Sequence, residues 1–252
     1  MRILKRQARK LLAQVAPEYL SRRDEYVRLR NEVLSLKKGL PQGSSLENVV
    51  DYALSSTIFE LLQKRLEILE LLEIIGQREP RYICEIGGSR GGTLFLLAHV
   101  AVHNARLMSI DTNYNQSQIR AYRYLGQRRQ RITSLRANSH DAATLRAVEE
   151  WLGGERLDVL FIDGDHSLRG VQSDYQMYAP LVRSGGLIAF HDIVPDYMTR
   201  YGIWTGADVG EVPVFWKALK VSCRVVSELI EAEGQDGYGI GIIEWQGGRE
   251  AR

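Results

Sequence analysis

The stretch Leu157–Asp192 constrains the fold of this chain more than any other segment, because it reads as strand, helix, tight glycine turn and strand. Leu157–Ile162 and Leu187–Phe190 are short apolar runs, and helical periodicity lies between them over Leu168–Leu181. Each strand ends on polar groups: Asp163, Asp165 and His166 after the first, His191 and Asp192 after the second. Ligands of open parallel sheets bind just beyond the carboxyl ends of the strands. If the two strands adjoin, their carboxylates and imidazoles converge on one small volume.

The same alternation runs back to Pro80. Strands are expected at Tyr82–Ile86, Arg106–Ile110 and Ile132–Arg136, with helices at Thr93–His103, Gln116–Gly126 and Asp141–Leu152. After a helix at Val214–Leu219, the runs Arg224–Ile230 and Tyr238–Trp245 are close enough to pair only as an antiparallel hairpin. The expected architecture is a Rossmann-like, doubly wound α/β sheet over residues 80–252, preceded by a helical region over 1–79. In that region residues 1–16 fit a basic amphipathic helix, and Tyr26, Leu29, Val33, Leu36 and Leu40 mark a second periodic stretch. A long helix is expected from Leu46 to Ile75, with Phe59, Leu62, Leu66, Leu69 and Leu72 or Glu73 as its buried stripe.

Charge is distributed unevenly. Residues 1–40 hold eleven Lys and Arg against four acids, +7, so the remainder carries −5 of the net +2. The basic arm is read as a site of homo-oligomerisation or a cover for the acceptor site, and neither nucleic acid nor a membrane is expected as partner. No apolar run reaches a membrane span and no apolar core follows the basic start, so a cytoplasmic location without a cleaved leader is expected. Cys84 and Cys223 both sit in strand-like runs and read as reduced thiols.

The first strand runs into Glu85-Ile86-Gly87-Gly88-Ser89-Arg90-Gly91-Gly92. Glycines there let backbone approach a ligand at a helix N-terminus. A dinucleotide fingerprint needs glycine at 87, 89 and 92, and Ser89 breaks it; Glu85 suits a cationic ligand better than a pyrophosphate. Asp111, ending the second strand, can accept from ribose hydroxyls, or else shape a turn with Thr112 and Asn113. Ser139 and His140 after the third strand are placed to meet an adenine edge, and Asp141 to cap the helix that follows.

Taken in order, these features resemble the class I S-adenosylmethionine-dependent methyltransferases over about Arg81–Trp245. The first motif of that family matches Glu85, Gly87 and Gly91, its ribose acid matches Asp111, and its terminal hairpin matches the last two strands. The resemblance implies seven strands with the last reversed, and S-adenosyl-L-methionine held by Glu85, Gly87, Gly88, Ser89, Gly91, Asp111, Ser139, His140 and Asp163. Within the family, Asp163-Gly164-Asp165-His166-Ser167, Gly185-Gly186, His191-Asp192 and Val212–Trp216 are most similar to the cephalosporin-hydroxylase-like group, beside the catechol, caffeoyl-CoA, sugar and antibiotic O-methyltransferases.

The implied reaction is methylation of a hydroxyl on a small-molecule acceptor, a sugar or natural product. The metal-dependent relatives imply Asp163, His191 and Asp192 as ligands of a divalent ion. His191 stands where those relatives have a carboxylate, and imidazole suits manganese or iron better than magnesium. The other reading is a strand-end pair in which His191 and Asp192 bond each other. The catechol-type enzymes carry a lysine base at the position of His166, which implies a histidine general base there beside the catalytic Asp163; the alternative is a helix-start histidine bonded to Asp165. Two further functional readings are a nicotinamide-dependent oxidoreductase and a cofactor-binding scaffold for a hydroxylase. His99 and His103 are read as one helix face, and Pro195–Gly210, with Trp204, as either an acceptor lid or a disordered insertion.

Overall fold

The computed structural model describes residues 17–41, 43–56, 61–127 and 129–247; the amphipathic stretch expected at 1–16, the side chain of Leu36 and Phe59 lie outside them. The helices are α1 (Pro17–Gly39), α2 (Leu46–Leu54), α3 (Arg65–Gly76), α4 (Gly92–Val100), α5 (Gln116–Tyr122), α6 (Ala142–Leu152), α7 (Leu168–Tyr178), α8 (Tyr197–Tyr201) and α9 (Val212–Leu219). The strands are β1 (Tyr82–Ile86), β2 (Arg106–Asp111), β3 (Arg131–Arg136), β4 (Leu157–Ile162), β5 (Val182–His191), β6 (Arg224–Leu229) and β7 (Ile240–Glu244). They form one sheet in the order β3-β2-β1-β4-β5-β7-β6. The first five strands are parallel, and β7 runs antiparallel to both of its neighbours, β5 and β6. The seven-stranded Rossmann-like sheet is therefore the one expected. The glycine turn is not: Gly185 and Gly186 lie inside β5, whose register against β4 shifts between Leu157 and Val159.

Period-two alternation decides which side chains face which helices. Ile83, Leu107, Val159, Phe161, Leu187 and Ala189 face the core shared with α1–α5. Cys84, Met108, Ile110, Leu160, Ile162, Ile188 and Phe190 face α6, α7 and α9. The first parity also takes in Glu85 in β1 and His191 at the end of β5, and continued one residue past β4 it reaches Asp163, so all three are turned toward the N-terminal helices.

The helix expected over Leu46–Ile75 is two helices. Ser45 caps α2 by accepting from the Asn48 amide at 3.4 Å, and the chain leaves α2 at Ser55, whose hydroxyl donates back to the Tyr52 carbonyl at 2.8 Å. Arg65 then clamps Asp51 through Nε and Nη2 at 2.6 and 3.0 Å, fixing α3 against α2. No glycine or proline marks the break, so periodicity runs through it; tertiary packing overrides the local preference. The buried stripe shifts accordingly. Leu69 and Leu72 are buried, whereas Leu62 and Leu66 are 56% and 42% exposed and Glu73 faces outward. Ile68, Leu71, Ile75 and, unexpectedly, Glu67 fill the stripe.

Glu67 is 1% exposed and ties α3 to the β6–β7 connection. Its Oε1 accepts from Gln235 Nε2 at 2.6 Å and the Glu231 amide at 3.3 Å, and its Oε2 from the Gly239 amide at 2.9 Å. Removing the carboxylate strands buried donors, each costing about 1–3 kcal/mol. Glu67→Ala is expected to lower the unfolding free energy by roughly 3 kcal/mol in denaturant titration, with Glu67→Gln intermediate. An unchanged midpoint for the alanine variant would remove Glu67 from this role.

Candidate active site

β1, β4 and β5 are neighbours, so Glu85–Gly91, Asp163–His166 and His191–Asp192 meet at one end of the sheet. Gly87 (φ +89°) donates its amide to the Ile110 carbonyl at 2.9 Å, and a Cβ there would lie 1.8 Å from the Asp163 carbonyl oxygen. Only glycine fits. Gly91 (φ +81°) is the N-cap of α4, and Ser89 holds a positive φ of 41°. The Ser89 amide donates to Asp111 Oδ2 at 2.7 Å, and the Asn113 amide to Oδ1 at 2.7 Å. Asp111 thus braces the loop from the end of β2.

Glu85 is fully buried. Its Oε2 accepts from Ser109 Oγ at 2.5 Å, Ser109 Oγ lies 2.6 Å from the Tyr114 hydroxyl, and Oε1 has no partner among the described residues. Burial pushes its carboxyl up to about 8 against the Ser109 hydrogen bond. A Cβ at Gly88 would strike the Tyr114 and Ser109 hydroxyls at 1.9 and 2.0 Å, so the loop rests directly on this cluster.

Two cavities flank Asp163. One, of about 440 Å³, is lined by Gly87, Ser89, Asp111, Ser139, His140 and Asp163. The other, of about 350 Å³, is lined by Leu62, Asp163, His166, His191, Asp192 and Tyr238, with Gly206–Val209 at its rim. Gly87, Ser89 and Asp163 line both. His140 Nε2 lies 3.3 Å from Asp174 Oδ1, and its amide donates to Asn138 Oδ1 at 3.0 Å. Asp141 occupies the N-cap of α6 but its side chain makes no capping bond, because that turn is closed by Asn138 instead.

In the second cavity His191 Nδ1 is 3.1 Å from Asp163 Oδ1 and 3.3 Å from Asp192 Oδ2. His166 Nε2 faces the same carboxylates at 3.6 and 3.4 Å. Its Nδ1 is 2.7 Å from the Asp208 carbonyl, which can only accept, so the proton sits on Nδ1 and Nε2 points inward. The expected alternative bond from His166 to Asp165 does not form; Asp165 accepts from the Ser167 amide at 2.9 Å. His191 and Asp192 do lie within hydrogen-bond reach, with Asp163 as a third member. Asp192 carries φ +62°, backbone strain typical of functional positions.

The donor atoms of Asp163, His191 and Asp192 lie within 4.8 Å of one another. Ligands about 2.1–2.3 Å from a common ion at right angles sit roughly 3 Å apart, close to the 3.1 and 3.3 Å separations at His191. The set of two carboxylates and one imidazole therefore fits a divalent cation.

Without a cation the cluster polarises its histidines. The facing Asp163 carboxylate, opposed by burial and aided by Asp192, lifts His166 to about 9. For His191 burial pulls downward but Asp163 and Asp192 outweigh it, raising the imidazole well above its usual range. Asp163 is lowered: burial opposes ionisation, and His191 and His166 overcome it.

Sequence reasoning missed two residues. Gln63 is 5% exposed in the α2–α3 connection; its Nε2 donates to Asp163 Oδ2 at 2.9 Å, and its Oε1 accepts from Thr93 Oγ1 at 3.1 Å. Asp208 contributes only its carbonyl, which no side-chain pattern announces. The loop expected at Pro195–Gly210 is ordered: Asp196 caps α8 by accepting from the Thr199 amide at 2.7 Å, and Arg200 donates to the Gly234 and Gln235 carbonyls. Trp204 is 66% exposed and lines neither cavity; Gly206–Val209 do. α4 ends at Val100, so His103 falls in the following turn and shares no helix face with His99.

The seven-stranded architecture is shared with solved O-methyltransferases. Residues 84–193, somewhat less than half of the chain, match the family described as a methyltransferase domain. An uncharacterised protein of Acanthamoeba polyphaga mimivirus, R132, is 27% identical over 132 residues; the match spans 50% of this chain and only 57% of that protein. The O-methyltransferase of Bacillus cereus, solved with S-adenosylhomocysteine, superposes with TM-score 0.56 at 18% identity, covering 82% of this chain and 93% of its own. The mycinamycin-pathway methyltransferase MycE, solved with magnesium, S-adenosylhomocysteine and mycinamycin VI, gives TM-score 0.53 at 14% identity, covering 83% and 55%.

A histidine raised above its unfolded value stabilises the fold below about pH 6.5, and that stability is lost as pH rises through the folded value. For His166 the window is therefore from about 6.5 up to about 9. Chelator-treated protein should lose up to roughly 3 kcal/mol of unfolding free energy across it, and His166→Gln should flatten the profile. A parallel profile in the variant would show that this imidazole is not held by the carboxylates.

Proposed function

We propose that this protein transfers the methyl group of S-adenosylmethionine to a hydroxyl oxygen of a small-molecule acceptor, a sugar or natural product, with a divalent cation held by Asp163, His191 and Asp192. The observation that carries this reading is the pair of cavities joined at Gly87, Ser89 and Asp163. One has the strand-end carboxylate of Asp111 and the Ser139–His140 edge that suit a nucleoside; the other has the carboxylate–imidazole cluster that suits an acceptor oxygen. A donor in the first presents its methyl at the junction, where holding the two reactants in line removes much of the barrier.

Ser89 and Asp111 receive the ribose, Ser139 and His140 the adenine edge, and Glu85 supports the loop from beneath. In the second cavity His166 directs Nε2 at the acceptor hydroxyl, oriented from behind by the Asp208 carbonyl. As the acceptor oxygen bonds the methyl carbon and the carbon–sulfur bond breaks, the hydroxyl proton passes to Nε2. Asp163, His191 and Asp192 would hold a dication, which would lower the hydroxyl pKa and offset the carboxylate charge that keeps His166 protonated. Gln63 holds Asp163 Oδ2, leaving Oδ1 for the cluster.

Calorimetric titration tests the donor side: S-adenosylhomocysteine should bind and NADH should not, and Gly87→Ala should abolish binding. Binding of NADH in place of S-adenosylhomocysteine would overturn the reading in favour of hydride chemistry. Manganese binding, followed by its electron paramagnetic resonance signal, tests the cation. It should be lost in Asp163→Ala and weakened in Gln63→Ala. For the base, His166→Gln should lower turnover of an accepted substrate by about 10²–10⁴-fold. Unchanged turnover across pH would exclude it.

A further inference from the structure

The turn after β3 is held from below by α7. The Tyr178 hydroxyl donates to the Ser139 carbonyl at 2.8 Å, the His140 amide to Asn138 Oδ1 at 3.0 Å, and the Asp141 amide to the Asn138 carbonyl at 3.1 Å. These bonds fix the backbone that carries His140 on the wall of the donor-side cavity. They do not settle its ring.

One turn before Tyr178, α7 carries Asp174, which takes no part in the proposed transfer. It is 0% exposed, and neither carboxylate oxygen accepts a hydrogen bond among the described residues. Burial pushes its carboxyl up, against the Ser139 hydroxyl and the His140 imidazole. Its oxygens lie just beneath the cavity: a Cβ at Gly164, which lines that cavity, would stand 3.3 Å from Oδ2. His140 Nε2, buried and equally without a hydrogen bond among the described residues, lies 3.3 Å from Oδ1. Nδ1 is the nitrogen left for the cavity, since the side chain is 27% exposed and Nε2 is its buried end. Packing alone does not account for a carboxylate here. Val171 and Tyr178, on the same face of α7, belong to an apolar core, where leucine costs far less than an unpaired charge.

We propose that Asp174 is a positioning residue that makes the donor site selective for adenine: it takes the Nε2 proton of His140, so that Nδ1 presents a lone pair to the exocyclic amine of the base. The assignment rests on the donor reading of this cavity and adds what sets the reader of the base. An ionised carboxylate can only accept, so the proton of a neutral imidazole facing it lies on Nε2 and Nδ1 becomes the acceptor. The amine of adenine donates to that lone pair. The carbonyl of hypoxanthine cannot, and it would set two acceptors face to face, so the deaminated nucleoside is rejected by an unmade bond rather than by shape.

Titration calorimetry of the full chain tests this by comparing S-adenosylhomocysteine with its deaminated analogue, S-inosylhomocysteine. The parent should bind the adenine compound about 10- to 100-fold more tightly, the range expected when one buried polar group is left opposed. Asp174→Leu and His140→Phe should each bring the two affinities within about threefold of one another. The double variant should be no less selective than either single one, because the carboxylate acts through the ring. Tyr178→Phe, which loosens the same turn without touching the ring, should weaken both ligands alike and leave their ratio intact. Nitrogen-15 spectra of the histidine rings give a second readout, with His140→Phe assigning the signal. In the free parent at mildly alkaline pH, Nε2 should carry the proton; in Asp174→Leu the two tautomers should mix. A parent that binds neither nucleoside overturns the donor reading and this inference with it. If the parent binds S-adenosylhomocysteine, the donor reading stands, and this inference alone is overturned by any of four results: discrimination below about threefold, an Asp174→Leu ratio equal to that of the parent, a Tyr178→Phe ratio that falls as far as that of Asp174→Leu, or an Nδ1-protonated ring in the free parent.

Discussion

The cluster at the carboxyl ends of the strands is organised around Asp163. Its backbone amide bonds to the Ile86 carbonyl at 2.9 Å, and its own carbonyl occupies the space that any Cβ at Gly87 would need. Its carboxylate takes Gln63 on one oxygen and His191, with His166 close by, on the other. One residue therefore sets the depth of the glycine loop, the wall between two cavities and the orientation of two imidazoles. A half-buried carboxylate with this many obligations is costly to move, because every displacement leaves another polar group without its partner.

The N-terminal helices belong to this arrangement rather than to an appendage. Residues of α1, α2 and α3 share a core with β1, β4 and β5, and the connection between α2 and α3 delivers Gln63 and Leu62 to the strand ends. Gln63 also reaches Thr93 at the start of α4. The region read from sequence as oligomeriser or cover supplies an interior polar bridge between the glycine loop's helix and the acidic cluster. The opposite flank is secured by α3 as well, through Glu67 and the β6–β7 connection.

The strands were legible because burial on both faces writes continuous apolar runs, and β1 and β4 match the expected Tyr82–Ile86 and Leu157–Ile162. The gathering of polar residues at their ends was legible for the same topological reason: a parallel sheet exposes the residue after each strand at one edge. The break in Leu46–Ile75 was not. Residues 55–64 contain neither glycine nor proline, and their leucines keep a helical period, so nothing local records the turn that tertiary packing imposes. The partner of His166 was equally hidden, because a backbone carbonyl has no signature in residue type. His103 fell outside α4 because a helix end depends on which carbonyls find other donors.

Sequence by itself determined the order of strands and helices, the positions where only glycine can pass, and the side chains carried at the strand ends. Periodicity and residue chemistry are local quantities, and those features depend on nothing else. Tertiary structure alone decided that β4 lies between β1 and β5, so that three strand ends share one site. It also decided that Gln63 and the Asp208 carbonyl close that site, and that Asp174 of α7 comes within 3.3 Å of His140. Those facts concern residues more than a hundred positions apart, and only packing brings them within reach of one another.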